Sequence, residues 1–138
     1  MIIDGANGAL ELKIIGYQYP SVTSGHDGNW LRIQLDGRVD GVHRRWVDPC
    51  LLTWELAELI DWLRSIRHAD TASHLELFFV EPMLSFGLLK RESTGMQLQI
   101  RLDEGTEDCV MTFEVDQKKL DRMVEDLSGQ LVHYPVRS

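Results

Sequence analysis

Cys50 and His43 are the nearest thing to a nucleophile and a base in this 138-residue sequence. A cysteine attacks as its thiolate, so it needs a helix N-terminus or a cationic neighbour, plus a base held in place by a third group. Around "HRRWVDPC", residues 43 to 50, no orienting group is evident, and a buried structural thiol outweighs the catalytic reading. Two groupings carry metal-ligand types: His68, Asp70 and His74, and His26 with Asp27. Neither has the closed spacing of a zinc or calcium motif, and both fall in polar, loop-like sequence, so no metal is expected. Carboxylates also pair, as in Glu76 with Glu81 and Asp103 with Glu104, but spacing alone does not separate an acid-base pair from a solvated acidic face. "GANG" at 5 to 8 and "SGHDGN" at 24 to 29 match neither nucleotide fingerprint. These residues therefore imply neither catalysis nor a cofactor.

Charge is more informative. Fourteen basic residues against 22 acidic ones leave a net charge of −8. A field of that sign repels phosphate backbones and favours a basic partner, so direct nucleic-acid binding is not expected. His43, Arg44 and Arg45 form the nearest basic cluster, but Asp40 and Asp48 flank it, which suits a solvated strand face. With 43% apolar and 26% charged residues, disordered and collagen-like classes are excluded. The first residues, "MIIDGANGALELKIIG", show no signal peptide, and no stretch approaches a membrane span. A cytoplasmic chain with Cys50 and Cys109 as reduced, small core side chains is the expectation. The length suits a single domain over 1–138, with 1–8 and 133–138 as flexible tails.

Periodicity supplies the elements. Leu10, Leu12 and Ile14 alternate with Glu11 and Lys13; Leu31, Ile33 and Leu35 alternate with Arg32, Gln34 and Asp36. Period two predicts strands with one buried face, and a third strand over His43 to Val47 after a turn offered by Gly37 and Gly41. "YQYPSVTSGHDGN", 17 to 29, predicts a loop. Leu52, Leu56, Leu59, Ile60, Leu63 and Ile66 then fall at helical spacing. Thr53 is the expected N-cap and Glu55 an anion in the first turn, with Arg64, Arg67 and His68 at the end. Four more strands follow at Leu75 to Phe79, Leu84 to Leu88, Leu98 to Leu102 and Cys109 to Val115, linked by "STG" and "DEGTED". Asp116 is the expected cap of a last helix that buries Leu120, Met123, Val124, Leu127 and Leu131.

The order β-β-β-α-β-β-β-β-α, with hairpin-length links, predicts an α+β fold. It consists of an antiparallel sheet of about seven strands, strongly curled or split, covered by two amphipathic helices. "DPCLL" at 48 to 52 and "EPMLS" at 81 to 85 echo each other, and an X-Pro step in each predicts a strand end or an edge.

A binding surface is the better-supported function. If the apolar stripe of the first helix faces the sheet, then Trp54, Glu58, Asp61 and Ser65 share the opposite face. A tryptophan beside two carboxylates and a small hydroxyl suits an interface with a basic partner. The structural alternative, favoured for Trp54, folds it back over the Asp48-Pro49 corner. Trp30, Trp46 and Trp62 are expected in the core.

"YQYP" at 17 to 20, "NWLRIQL" at 29 to 35, "WVDPCLLTWELAELIDWL" at 46 to 63 and "FFVEPMLSFGLL" at 78 to 89 occur in an order and spacing that resembles the WapI-type immunity protein family. The stretch "DPCLLTWE", with Asp48, Pro49, Cys50 and Thr53, is its most specific piece, and Glu81 and Pro82 belong to the same structural motif. Met83 departs from the family, which carries a polar residue after the Glu-Pro. The resemblance implies an intracellular, non-enzymatic inhibitor that binds the C-terminal toxin domain of a bacterial polymorphic toxin, in the founding case a nuclease acting on tRNA. Two other classes stay open on the residues alone: an interaction or scaffold domain with an unrelated partner, and a small ligand-binding domain with a pocket between helix and sheet.

Overall fold

The computed structural model describes residues 1–6, 8–67, 75–103 and 108–138. Its elements run β1 (Ile2–Gly5), β2 (Gly8–Tyr17), α1 (Gly25–Asn29), β3 (Trp30–Val39), β4 (Val42–Leu52), α2 (Thr53–Ser65), β5 (Glu76–Phe78), β6 (Leu84–Glu92), β7 (Gly95–Asp103), β8 (Asp108–Val115) and α3 (Gln117–His133). The fold is α+β as expected, but the single curled sheet is not formed. The strands make two four-stranded antiparallel meanders, β1-β2-β3-β4 and β5-β6-β7-β8. Neighbouring strands pair antiparallel within each meander, β2 and β3 across a longer link that holds α1, whereas α2 and the residues after it separate β4 from β5 and the two do not pair. The sheet breaks there.

The alternating residues behave as their period dictates. Leu10, Leu12, Leu31, Ile33 and Leu35 are buried from the first sheet, and Leu84, Phe86, Leu98, Ile100, Leu102 and Phe113 from the second. They join Leu56, Leu59, Leu63, Leu120, Met123 and Leu127 from the two long helices in one hydrophobic cluster. Each such leucine taken fully out of water contributes about 2 kcal/mol. Trp46 and Trp62 belong to this core, while Trp30 is half-buried. Cys50 is buried as expected, and Cys109 only half-buried.

The readings at the turns and prolines fare differently. The β3-β4 turn is Asp40-Gly41, with φ of 50° and 80°, the two left-handed positions of a type I′ hairpin. Gly37 stays in β3, where an added Cβ would stand 3.2 Å from the Trp46 ring. Asp48-Pro49 marks an edge and not a strand end: β4 is the outer strand of its sheet and runs on to Leu52, with one extra residue between the pairs Leu31↔Leu51 and Ile33↔Asp48. An edge strand tolerates proline at such a bulge. Glu81-Pro82 does lie in a turn, between β5 and β6. Met83, next to it, is buried, and its carbonyl accepts the Asp103 N–H at 2.8 Å, a bond any residue could supply.

β1 is a strand because it pairs with β2, Ile3 opposite Leu10. It is short, so β2 beyond Leu12 has a free outer edge, which α3 covers. The Gln130 side chain accepts from Ile14 N–H at 2.8 Å and donates to the Leu12 carbonyl at 3.3 Å, as a peptide of a neighbouring strand would. Asp116 caps α3 as expected, accepting from Lys119 N–H at 2.8 Å.

Candidate functional site

The supposed nucleophile and base are not brought together. His43 is exposed at the far end of β4, its Nε2 3.0 Å from Asp36 Oδ1, which also accepts from Arg45 Nε at 3.0 Å. Seven residues of extended chain, on the order of 20 Å, separate it from Cys50. The hydrogen bond from Arg45 holds the Asp36 carboxyl below its usual range, with His43 adding to the effect. Burial pushes the Cys50 thiol up to about 12, with Asp48, Glu81 and Glu55 reinforcing it. A thiol in that state is no nucleophile.

Of the remaining groupings, His68, Asp70 and His74 lie outside the described residues, as does Glu104. Among the described residues no three His, Cys, Asp or Glu side chains gather as a metal site. Glu76 lies on β5 and Glu81 in the following turn, both exposed. A cleft of about 620 Å³ runs between the first sheet and α3, lined by Met1, Glu11, Ile14, Asp126, Gln130 and His133.

The start of α2 is where the quoted motifs converge. Leu52, not Thr53, is the N-cap, and it carries no side-chain acceptor. Thr53 lies one residue inside, and its Oγ1 donates to Asn29 Oδ1 at 2.8 Å. The shift puts Glu55 at the third helical position, where its Oε1 accepts the Leu52 N–H at 3.0 Å. Its Oε2 accepts the Val80 N–H at 2.8 Å. Glu55 is only 4% exposed, so this carboxylate ties the "DPCLL" corner to the "FVEP" turn from inside. The two echoing prolines occupy different places in their meanders, yet their corners meet here.

Outward from this joint, Trp54, Glu58, Asp61 and Ser65 rise along one face of α2 as their spacing requires. Glu58 and Asp61 are exposed, Trp54 and Ser65 half-buried. Asp61 has Arg64 at 3.8 Å, and Ser65 Oγ donates to the Trp62 carbonyl at 2.8 Å. The Trp54 ring stands edge-on to His26 of α1, centroids 5.2 Å apart at 88°. Asp48, Glu81, Pro82 and Val80 are exposed beside the same helix start, Val80 at 68%. The result is a partly apolar surface ringed by carboxylates, whose field already reaches Cys50. The other end of α2 is held by Arg91, which donates to the Ile66 carbonyl at 2.8 Å, and Arg67 lies 3.7 Å from Asp121.

Asn29 and Glu55 hold the start of α2, and of the two only Glu55 leaves a local signal, as a glutamate three residues after the true cap.

Two four-stranded antiparallel meanders and two long helices define a mixed α+β fold. Residues 1–135 match the WapI-like immunity protein family, and the chain belongs to it. That membership supports an immunity role. Comparison with curated proteins gives no match. Among solved structures, a plant transcriptional regulator, PBF-2, is similar in fold, with a TM-score of 0.57 at 12% identity, over 97% of this chain and 80% of that one. No helix among the described residues is long and apolar enough to cross a membrane.

Proposed function

We propose that this chain is a non-enzymatic immunity protein of the cytoplasm, which binds the C-terminal toxin domain of a bacterial polymorphic toxin and neutralises it. The toxin domain is a nuclease with a basic surface, and the chain meets it through the α2 face of Trp54, Glu58, Asp61 and Ser65. The observation that carries this reading is the family match across residues 1–135. The net charge of −8 and the exposed carboxylates at Asp48, Glu58, Asp61 and Glu81 support the basic partner, since complementary fields speed encounter. Trp54 supplies the aromatic anchor that protein interfaces favour.

Pull-down with candidate toxin domains, followed by a tRNA-protection assay, tests it. Capture of a toxin domain with loss of its nuclease activity is the expected result. Capture without inhibition, or inhibition that Glu58→Lys with Asp61→Lys leaves unchanged, would count against the neutralising face.

A further inference from the structure

Past the end of α3 the chain turns back along the segment between β2 and β3, and the contacts are made from both sides. Asn29, 1% exposed, spends its whole amide there. Its Nδ2 donates to the carbonyls of Gly25 at 2.6 Å and Arg137 at 2.8 Å. Its Oδ1 accepts from Arg137 N–H at 2.8 Å and from the Thr53 hydroxyl at 2.8 Å. Asn29 thus grips the peptide groups of Arg137 with one side and the first residue of α2 with the other. The Arg137 guanidinium lies 3.6 Å above the Tyr17 ring centroid. It donates to three carbonyls of the same segment, Val22 at 2.6 Å, Pro20 at 3.0 Å and Tyr19 at 3.3 Å. Tyr17 Oη donates to the Pro135 carbonyl at 2.6 Å, with its ring edge-on to Tyr134 at 5.5 Å.

Three carbonyls converging on one point leave their dipoles opposed unless a donor array fills the centre. A planar guanidinium does so from two nitrogens while its face lies on Tyr17, an arrangement that an ammonium, with three N–H donors on one atom and no flat face, reproduces only in part. The segment so held carries His26, the ring partner of Trp54.

We propose that Tyr134–Arg137 is a strap that fixes residues 19–29 against the start of α2, presenting His26 and Trp54 as one preformed surface. Asn29 and Arg137 are its positioning residues. The consequence for recognition rests on the reading of α2 as the partner face. A loop ordered in advance lowers the entropy lost on binding, so the strap raises affinity without touching the partner. The strap itself requires no partner and is tested without one.

The experiment is amide hydrogen exchange on the full chain, with NMR of the Trp54 indole, for wild type, Arg137→Ala, Arg137→Lys and His26→Ala. Arg137→Ala is expected to speed exchange across residues 19–28 by about tenfold while residues 96–102 of β7 keep their protection. The Trp54 indole signal should move toward its position in His26→Ala, and Arg137→Lys should fall between wild type and alanine. Unchanged exchange at 19–28, an equal rise in β7, or an unmoved indole signal would overturn the strap. Toxin-domain binding measured on the same variants separates the two ideas. A lost strap with unaltered binding sinks the α2 interface reading alone.

Discussion

Glu55 and Val80 are 25 residues apart, yet the buried carboxylate of one accepts the main-chain N–H of the other at 2.8 Å. The second oxygen caps α2 through Leu52, so one side chain serves a helix start and a turn between two strands. Glu55→Gln keeps the shape but points an NH₂ group at one of two N–H donors. Donor against donor in a buried site costs about 2 kcal/mol. The expected outcome is a lower urea midpoint at constant slope, with Glu55→Ala lower still.

Gln130 stands in for a missing strand. Without it, Ile14 N–H and one bond to the Leu12 carbonyl go unmet, and the outer edge of β2 opens. Gln130→Ala should cost about 1 kcal/mol and raise self-association at high concentration, because open edges pair with other chains. Thermal unfolding and light scattering check both effects. Gln130→Glu should recover little, since it cannot donate to Leu12 and adds a charge near Asp126, which Gln130 Nε2 now meets at 3.1 Å.

Cys50 makes stability depend on pH at the alkaline end. Its thiol, ordinarily near 9.0, is pushed up to about 12 in the fold. The folded state therefore holds the proton more tightly than the unfolded state. That contribution is intact below pH 9.0 and is lost as pH rises from there through about 12. The stability gap between wild type and Cys50→Ala should be constant below pH 9.0 and change steadily above it, read from urea titrations. In native protein at pH 8, a thiol reagent should label Cys50 only after denaturant is added.

Most of the buried framework could be read locally. Leu56, Leu59, Ile60 and Leu63 at helical spacing predict both α2 and its buried side, and Leu31, Ile33 and Leu35 do the same for β3, since each pattern needs only neighbours in the chain. β1 was not legible, because Ile2 and Ile3 show no alternation and become a strand only by pairing with β2. The division into two sheets depends on which edges meet, a non-local matter. Thr53 looks like a cap from its neighbours, but Asn29, 24 residues away, claims its hydroxyl. The α2 face of Trp54, Glu58 and Asp61 follows from spacing alone. Its supports do not: Asn29 and Arg137 are 108 residues apart, and His26 reaches Trp54 from a segment whose composition says only loop.

Stopped-flow association reads whether the α2 face captures a basic toxin domain by its charge, as proposed above. Wild type and the Glu58→Lys, Asp61→Lys pair would be mixed with a captured toxin domain at low and high salt. Charge reversal should slow association about tenfold at low salt with little change in dissociation, and added salt should slow wild-type association more than it speeds dissociation. Association rates indifferent to both the salt and the reversal would contradict it.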